Sequence, residues 1–319
     1  MGRAINLVVS CTNRKRYEPA SGLAAHRLVG ADVPARLRTW KERLSAVSEA
    51  RHPAEDLYMG EHWSVVRDIV SAAGTRGWDV RLWICSAGYG LIRPSALIHS
   101  YQVTFASGTR DSVTAWETNA AQKWWKGVCS YSIPGEKGVP RTLKALAQKY
   151  PRTPMVVALS AHYLNAVEKD LLTVLLHSYF RRHLAIISCG TKGDASHWQE
   201  NLLPCDGGVS ASLGGTLTSL NARVARFLFE SPAPADPTVD YWASLVRSLK
   251  RQTVERSPRT PQSDAAVLRF IRDALRQIPS ASRSKLLEKL RATGKACEQR
   301  RFGELYMRLK REAHAEIRG

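Results

Sequence analysis

Four short stretches of the chain are almost continuously apolar: residues 5–10, 80–85, 154–159 and 184–188. Runs of this length without alternation suit parallel strands covered on both faces. Each runs into a small polar turn: Cys11-Thr12-Asn13, Ser86-Ala87-Gly88-Tyr89-Gly90, Ser160-Ala161-His162, and Ser188-Cys189-Gly190-Thr191. Between them, apolar residues recur at helical spacing over 55–73 (Trp63, Val66, Ile69 and Val70 on one side), 113–125, 141–149 and 163–179. Strands alternating with helices predict an α/β fold, a four-stranded, mainly parallel sheet flanked by helices. Sites in such sheets lie outside the carboxyl ends of the strands, where all four polar turns fall.

Beyond the fourth run the pattern changes. Asp206-Gly207-Gly208 and Gly214-Gly215-Thr216 precede a helix through Phe229, whose start is either an anion site or a plain loop. Ser231-Pro232-Ala233-Pro234-Ala235-Asp236-Pro237 has linker composition, and Ser257-Pro258-Arg259-Thr260-Pro261 is a second break. Helical patterns then cover 264–277, 282–291 and 302–315. The expected organisation is an α/β catalytic domain over 1–230, a Pro-rich linker over 231–263, and a basic helical domain or cap over 264–319.

Charge gives these regions different tasks. The 319 residues hold 47 Lys plus Arg against 28 Asp plus Glu, a net +19. Residues 241–319 carry 19 cations against 8 anions, so this quarter supplies +11 of the excess. Such a field attracts polyanions, above all phosphate backbones, with steep salt dependence. DNA is the expected partner and the helical tail the expected grip. No apolar run reaches about 18 residues, and no signal-like segment opens the chain, so no membrane partner and a cytoplasmic location are expected. An apolar fraction of 44% excludes global disorder.

Candidate chemistry gathers in the turns. Ser10-Cys11-Thr12-Asn13-Arg14-Lys15-Arg16 combines a carboxamide able to hold a water or a base edge with three cations suited to a phosphate or an anionic leaving group. A turn with solvated cations fits the same residues. Cys11, Cys85 and Cys189 each follow a strand beside a serine. They read as metal-binding thiolates, as a nucleophile near Lys15, or as small buried hydrophobes. Gly88 and Gly90 around Tyr89 suggest a sharp turn that either presents the ring to an extruded base or packs it. Glu61 and Asp111 are carboxylates able to stabilise a cationic sugar or activate water, though Asp111 also suits a helix N-cap. His62 and His162 are candidate donors to a leaving base. Of the adjacent Trp124 and Trp125, one is expected in the core and one toward nucleic acid. The six cysteines form no CxxC pair, and GxxxxGK[ST], HExxH and GxSxG are absent, so neither a metal nor a cofactor is called for.

The set Ser10-Cys11-Thr12-Asn13 with Lys15, Ala54-Glu55-Asp56-Leu57-Tyr58, Ser86-Ala87-Gly88-Tyr89-Gly90-Leu91-Ile92 and Tyr101 resembles small bacterial proteins found beside defence and modified-base genes. The strand layout also resembles the uracil-DNA glycosylase superfamily, and within it the bacteriophage replication inhibition DNA glycosylases. The resemblance covers about residues 1–230. It implies an antiviral enzyme that flips and excises a hypermodified cytosine, such as glucosylated hydroxymethylcytosine, from phage DNA. It implies Asn13 positioning water, Tyr89 contacting the base, Lys15 or Arg16 holding a flanking phosphate, and Asp111 stabilising the sugar. Ser10, Cys11, Thr12, Tyr58, Ser86, Gly88, Gly90, Tyr101, His162, Ser188 and Gly190 would line the pocket. The chain departs from the superfamily where a water-activating Asp is replaced near Asn13 and where Ser188-Cys189-Gly190-Thr191 lacks a catalytic His. Two other readings are a base-exchanging transglycosylase using Asp111 or Asp194 as nucleophile, and a nonenzymatic nucleic-acid-binding module.

Overall fold

The computed structural model describes residues 2–189, 198–251, 260–278 and 281–316, with Arg300 and residues 311–316 as backbone only. The chain divides into two compact units, Met1–Thr253 and Val254–Gly319.

The first unit is built on a five-stranded sheet: β1 (Arg3–Ser10), β2 (Trp78–Ser86), β3 (Gly90–Ile92), β4 (Met155–Ala158) and β5 (Leu184–Ile187). Their spatial order is β3-β2-β1-β4-β5. β1 runs parallel to β2 and β4, and β4 to β5; only β3 is antiparallel. The four apolar runs are the four parallel strands. The fifth strand is the addition: Gly90-Leu91-Ile92 folds back on Ile84-Cys85-Ser86 as a hairpin. Its three residues are too few to show a period.

Helices flank this sheet. They are α1 (Val33–Ala46), α2 (Glu61–Gly74), α3 (Ala120–Cys129), α4 (Leu143–Lys149), α5 (Ala161–Leu175), α6 (Ser178–His183), α7 (Leu220–Phe229) and α8 (Val239–Ser248). α2 packs on β2 and α7, while α1, α3 and α5 pack side by side as a separate group. Burial of every residue from Ile5 to Val9 follows from cover on both faces. Asn6, in the middle of β1, accepts a 3.1 Å bond from Trp83 Nε1.

Several expectations need correction. The helix expected over 55–73 breaks, because Tyr58 turns extended and bridges to Lys15; α2 starts at Glu61, and Val70 is exposed. The helix expected over 113–125 forms only from Ala120, so Asp111 does not cap it. Trp124 and Trp125 are both buried, because α3 lies between α1 and α5. Trp124 Nε1 donates to Ala87 O at 2.7 Å and Trp125 Nε1 to Asp170 Oδ2 at 3.1 Å. The segment 231–249 is not a free linker: α8 packs on α7, and buried Trp242 stacks on Trp78 at 5.3 Å. Residues 252–259, including Ser257-Pro258-Arg259 of the second break, lie outside the described residues.

The second unit has its own core. Helices α9 (Asp264–Gln277), α10 (Arg283–Ala292) and α11 (Gln299–Glu316) bury Val267, Ile271, Leu286, Leu287, Leu290 and Phe302. Ser263 and Ser282 cap the first two, accepting from the backbone N–H of Ala266 and Lys285. Arg269, Arg272, Arg276, Arg283, Lys285 and Lys289 stand exposed on α9 and α10. Among the described residues, no helix is long and apolar enough to cross a membrane.

Candidate functional site

The carboxyl ends of β1, β2, β4 and β5 lie level. Ser10 pairs with Cys85, the Cys11 N–H donates to Cys85 O at 3.0 Å, and the Leu159 N–H to Ile187 O at 3.0 Å. Asn221 of α7 ties the far side, accepting from the Cys189 N–H at 2.7 Å and donating to Leu159 O at 2.9 Å. Strand connections leave β1 toward β2 on one side and arrive at β4 on the other. A switch point of this kind is where α/β sheets commonly place a site.

A chain of hydroxyls and one thiol crosses it. Tyr58 Oη lies 3.0 Å from Tyr101 Oη and donates to Ser86 Oγ at 3.3 Å; Ser86 Oγ is 2.7 Å from Tyr101 Oη. The Tyr101 hydroxyl reaches Cys11 Sγ at 3.4 Å, and Cys11 Sγ is 3.1 Å from Tyr163 Oη. Residues that end β1, end β2 and begin α5 are thereby linked. All are buried. Burial raises the pKa of Tyr58, Tyr101 and Tyr163 well above the ordinary phenol value. Their hydroxyls stay protonated and serve as donors.

Lys15 leans over this network. Residues 14–16 are held against 57–59 by the Lys15–Tyr58 bridge and by bonds from Arg16 N–H to Leu57 O and from Met59 N–H to Arg14 O. The ammonium donates to Thr12 O at 3.1 Å and sits 4.1 Å from the Tyr101 ring centroid. Burial lowers its pKa from 10.5 to about 8, while the charges of Cys11 and Asp111 pull it back upward. Asp111 itself is buried. Its Oδ1 lies 2.6 Å from His26 Nδ1 and accepts from the His26 N–H at 3.2 Å, and Arg110 approaches Oδ2 at 3.5 Å.

The Ser86–Gly90 turn supports the network rather than presenting a ring. Tyr89 is 2% exposed; its hydroxyl accepts from the His99 N–H at 3.1 Å and its carbonyl from Arg141. Trp40 Nε1 donates to Gly88 O at 2.8 Å. A Cβ on Gly88 would stand 2.7 Å from the Tyr101 ring, and Gly90, at φ +78°, lies against Cys129. This close packing corrects the expectation that Tyr89 meets a base.

The other candidates separate. Thr12 sits at the rim, its hydroxyl directed to Arg14 O and Met59 O. Asn13, Arg16 and His162 are exposed, and Ser188 is buried. The Ser10 carbonyl takes a 3.1 Å contact from His62 Nε2, and burial lowers the His62 pKa. Glu61 is engaged elsewhere: Thr216 and Arg223 hold it, and its pKa falls to about 2. Cys189 forms a disulfide with Cys205, which removes it from any three-thiolate site with Cys11 and Cys85. Gly190 and Asp194 lie outside the described residues. Tyr163 and His26 were missed. Tyr163 is the residue after the Ser160-Ala161-His162 turn, a signal that reading one position further would have caught. His26 carries no local signal, because its partner lies 85 positions away.

Fold and site together define an α/β protein with a buried tyrosine, serine and thiol network beneath a partly desolvated lysine at the switch point of its sheet. No protein-family model, no curated protein and no solved structure matches the chain.

Proposed function

We propose that the chain is a DNA base glycosylase of uracil-DNA glycosylase-like design. It takes a flipped nucleotide at the strand ends and breaks the bond between base and sugar. The substrate class is a hypermodified cytosine such as glucosylated hydroxymethylcytosine, and the partner is phage DNA. The observation that carries this reading is the gathering of opposite groups near one set of strand ends: Lys15 over the buried tyrosine hydroxyls, with the charge of the buried Asp111 carboxylate acting on the lysine.

The reaction needs both. Its transition state is an oxocarbenium-like sugar with a departing, anionic base. The carboxylate of Asp111 offsets the positive sugar, and His26 holds it in place. The Lys15 amine is the donor to the base, held over the Tyr101 ring, whose hydroxyl is tied to Ser86 and Cys11. In a site short of water these terms gain strength. The exposed carboxamide of Asn13 keeps the water-positioning role. Engagement of both Asp111 oxygens favours this electrostatic part over the nucleophilic part that base exchange requires. The net +19 and the exposed cations of the second unit support a grip on the DNA backbone.

The test incubates purified full-length chain with glucosylated phage DNA, uracil-containing DNA and unmodified DNA, then counts alkali-labile sites. Abasic sites in the glucosylated DNA are expected. Their absence from all three overturns the reading.

A further inference from the structure

We propose that Lys15 is a Schiff-base lysine, so that the chain opens the DNA strand at an abasic sugar as well as releasing a base. The inference rests on the glycosylase reading and deepens it at the same site.

Three observations carry it. First, the amine is fixed, because the antiparallel bridge to Tyr58 anchors its backbone while Thr12 O and the Tyr101 face orient Nζ. Second, Lys15 as a residue is only partly buried, so it stands at the edge of the network while Nζ rests on the Tyr101 ring. Third, among the described residues no carboxylate forms a salt bridge with it, whereas a lysine kept for structure is normally paired when desolvated. Its lowered pKa agrees with this geometry, since it raises the share of neutral, nucleophilic amine near physiological pH.

The step balances without an oxidant or a cofactor. The neutral Nζ adds to the aldehyde C1′ of the abasic sugar. The carbonyl oxygen takes up both amine protons and leaves as water, and a proton from solvent makes the resulting C1′=Nζ imine cationic. A proton departs from C2′ to water. Its electron pair becomes the C2′=C3′ bond, the C3′–O bond breaks, and the 3′ phosphate leaves with the C3′–O bonding pair. Water then hydrolyses the imine and returns the amine.

The experiment uses the full-length chain and a duplex oligonucleotide bearing one preformed abasic site, so no base needs to be excised. Sodium borohydride reduces the imine to a permanent amine link, read as a protein–DNA band and located by peptide mass. The expected result is an adduct on Lys15, with strand cleavage when borohydride is omitted. Lys15→Arg, which keeps the cation over Tyr101, is expected to lose both while its far-ultraviolet dichroism and melting stay those of the parent. An adduct that persists in Lys15→Arg or maps to another amine overturns the proposal. Base release from modified DNA with no adduct leaves the glycosylase standing and removes the lysine chemistry. An adduct on Lys15 with no base release from any DNA does the reverse. Absence of both overturns both.

Discussion

Both ends of the central sheet are closed by aromatic rings, but the rings differ. At the amino end, Trp78 stacks on Trp242 at 5.3 Å and meets Phe229 edge-on at 5.6 Å. At the carboxyl end the rings are Tyr58, Tyr89, Tyr101 and Tyr163, and three of their hydroxyls join Ser86 and Cys11 in one network. The amino-end rings mainly bury area: Trp78 Nε1 donates to Ser231 O at 3.0 Å, and Trp242 Nε1 has no partner. The carboxyl end buries polar atoms and a lysine, which costs stability unless each is bonded. One end is arranged for packing, and the proposed function assigns the chemistry to the other. If so, substitutions at the two ends separate stability from activity.

The largest separation is expected at Trp242. Trp242→Ala should cost about 3–5 kcal/mol of unfolding free energy by urea titration. Base release per folded molecule should be unchanged. Trp242→Phe, which removes only the unpartnered N–H and some area, should cost much less. A small loss in Trp242→Ala would return 231–249 to the status of a linker and break the comparison.

Gly88→Ala tests the other end. Its new Cβ would stand 2.7 Å from the Tyr101 ring, whose position both Ser86 and Lys15 depend on. Overpacking of this kind costs about 1–3 kcal/mol. Unlike Trp242→Ala, it should also depress base release per folded molecule. Equal activity in the two variants would show that Tyr101 is only a core residue.

The sequence made these two ends unequally legible. The parallel strands were readable because burial on both faces leaves unbroken apolar runs. Their carboxyl ends were readable from the small polar residues that follow. So Cys11, Lys15, Tyr58, Ser86 and Tyr101 were all among the candidates, and the structure brings them together. The aromatic amino end was hidden, because Ser231–Pro237 composition reads as a linker while Trp242, just beyond it, folds back on Trp78. Tyr89 was misread for a related reason: paired glycines signal a tight turn but not which way its ring points. Asp111 finds His26 through a loop with no period, so neither partner announced the other.

Lys15→Met carries a sign that distinguishes a desolvated lysine from an ordinary one. The folded pKa is about 8 against 10.5 for the free side chain. Below pH 8 both states hold the proton and the full cost of the buried cation is present. Between pH 8 and 10.5 the unfolded chain binds more protons, so wild-type stability rises with pH. Lys15→Met should therefore be the more stable protein at pH 7, by about 1 kcal/mol once the lost bond to Thr12 O and the lost contact with the Tyr101 ring are set against desolvation. The gap should close toward pH 10. Adduct formation by the wild type should climb through about pH 8 as the neutral amine appears. A gap that does not change with pH would mean that solvent already reaches the ammonium.

The smallest effects are expected from the cations of the amino end. Arg3, Arg76 and Arg152 line an open hollow of about 620 Å³ together with Tyr179 and Asp236. All three are exposed, so water already solvates their charge and each Arg→Gln should change stability by no more than about 0.5 kcal/mol. If this end only packs, the triple variant should also bind duplex DNA with the wild-type salt dependence, because no phosphate contact is lost. Contacts with the backbone would show themselves, since each one removed lowers the slope of log affinity against log salt by roughly one. A drop of about three would make the hollow part of the DNA-binding face. The division between a packing end and a reacting end would then have to be redrawn as two ends that both meet DNA, of which only one carries a desolvated lysine.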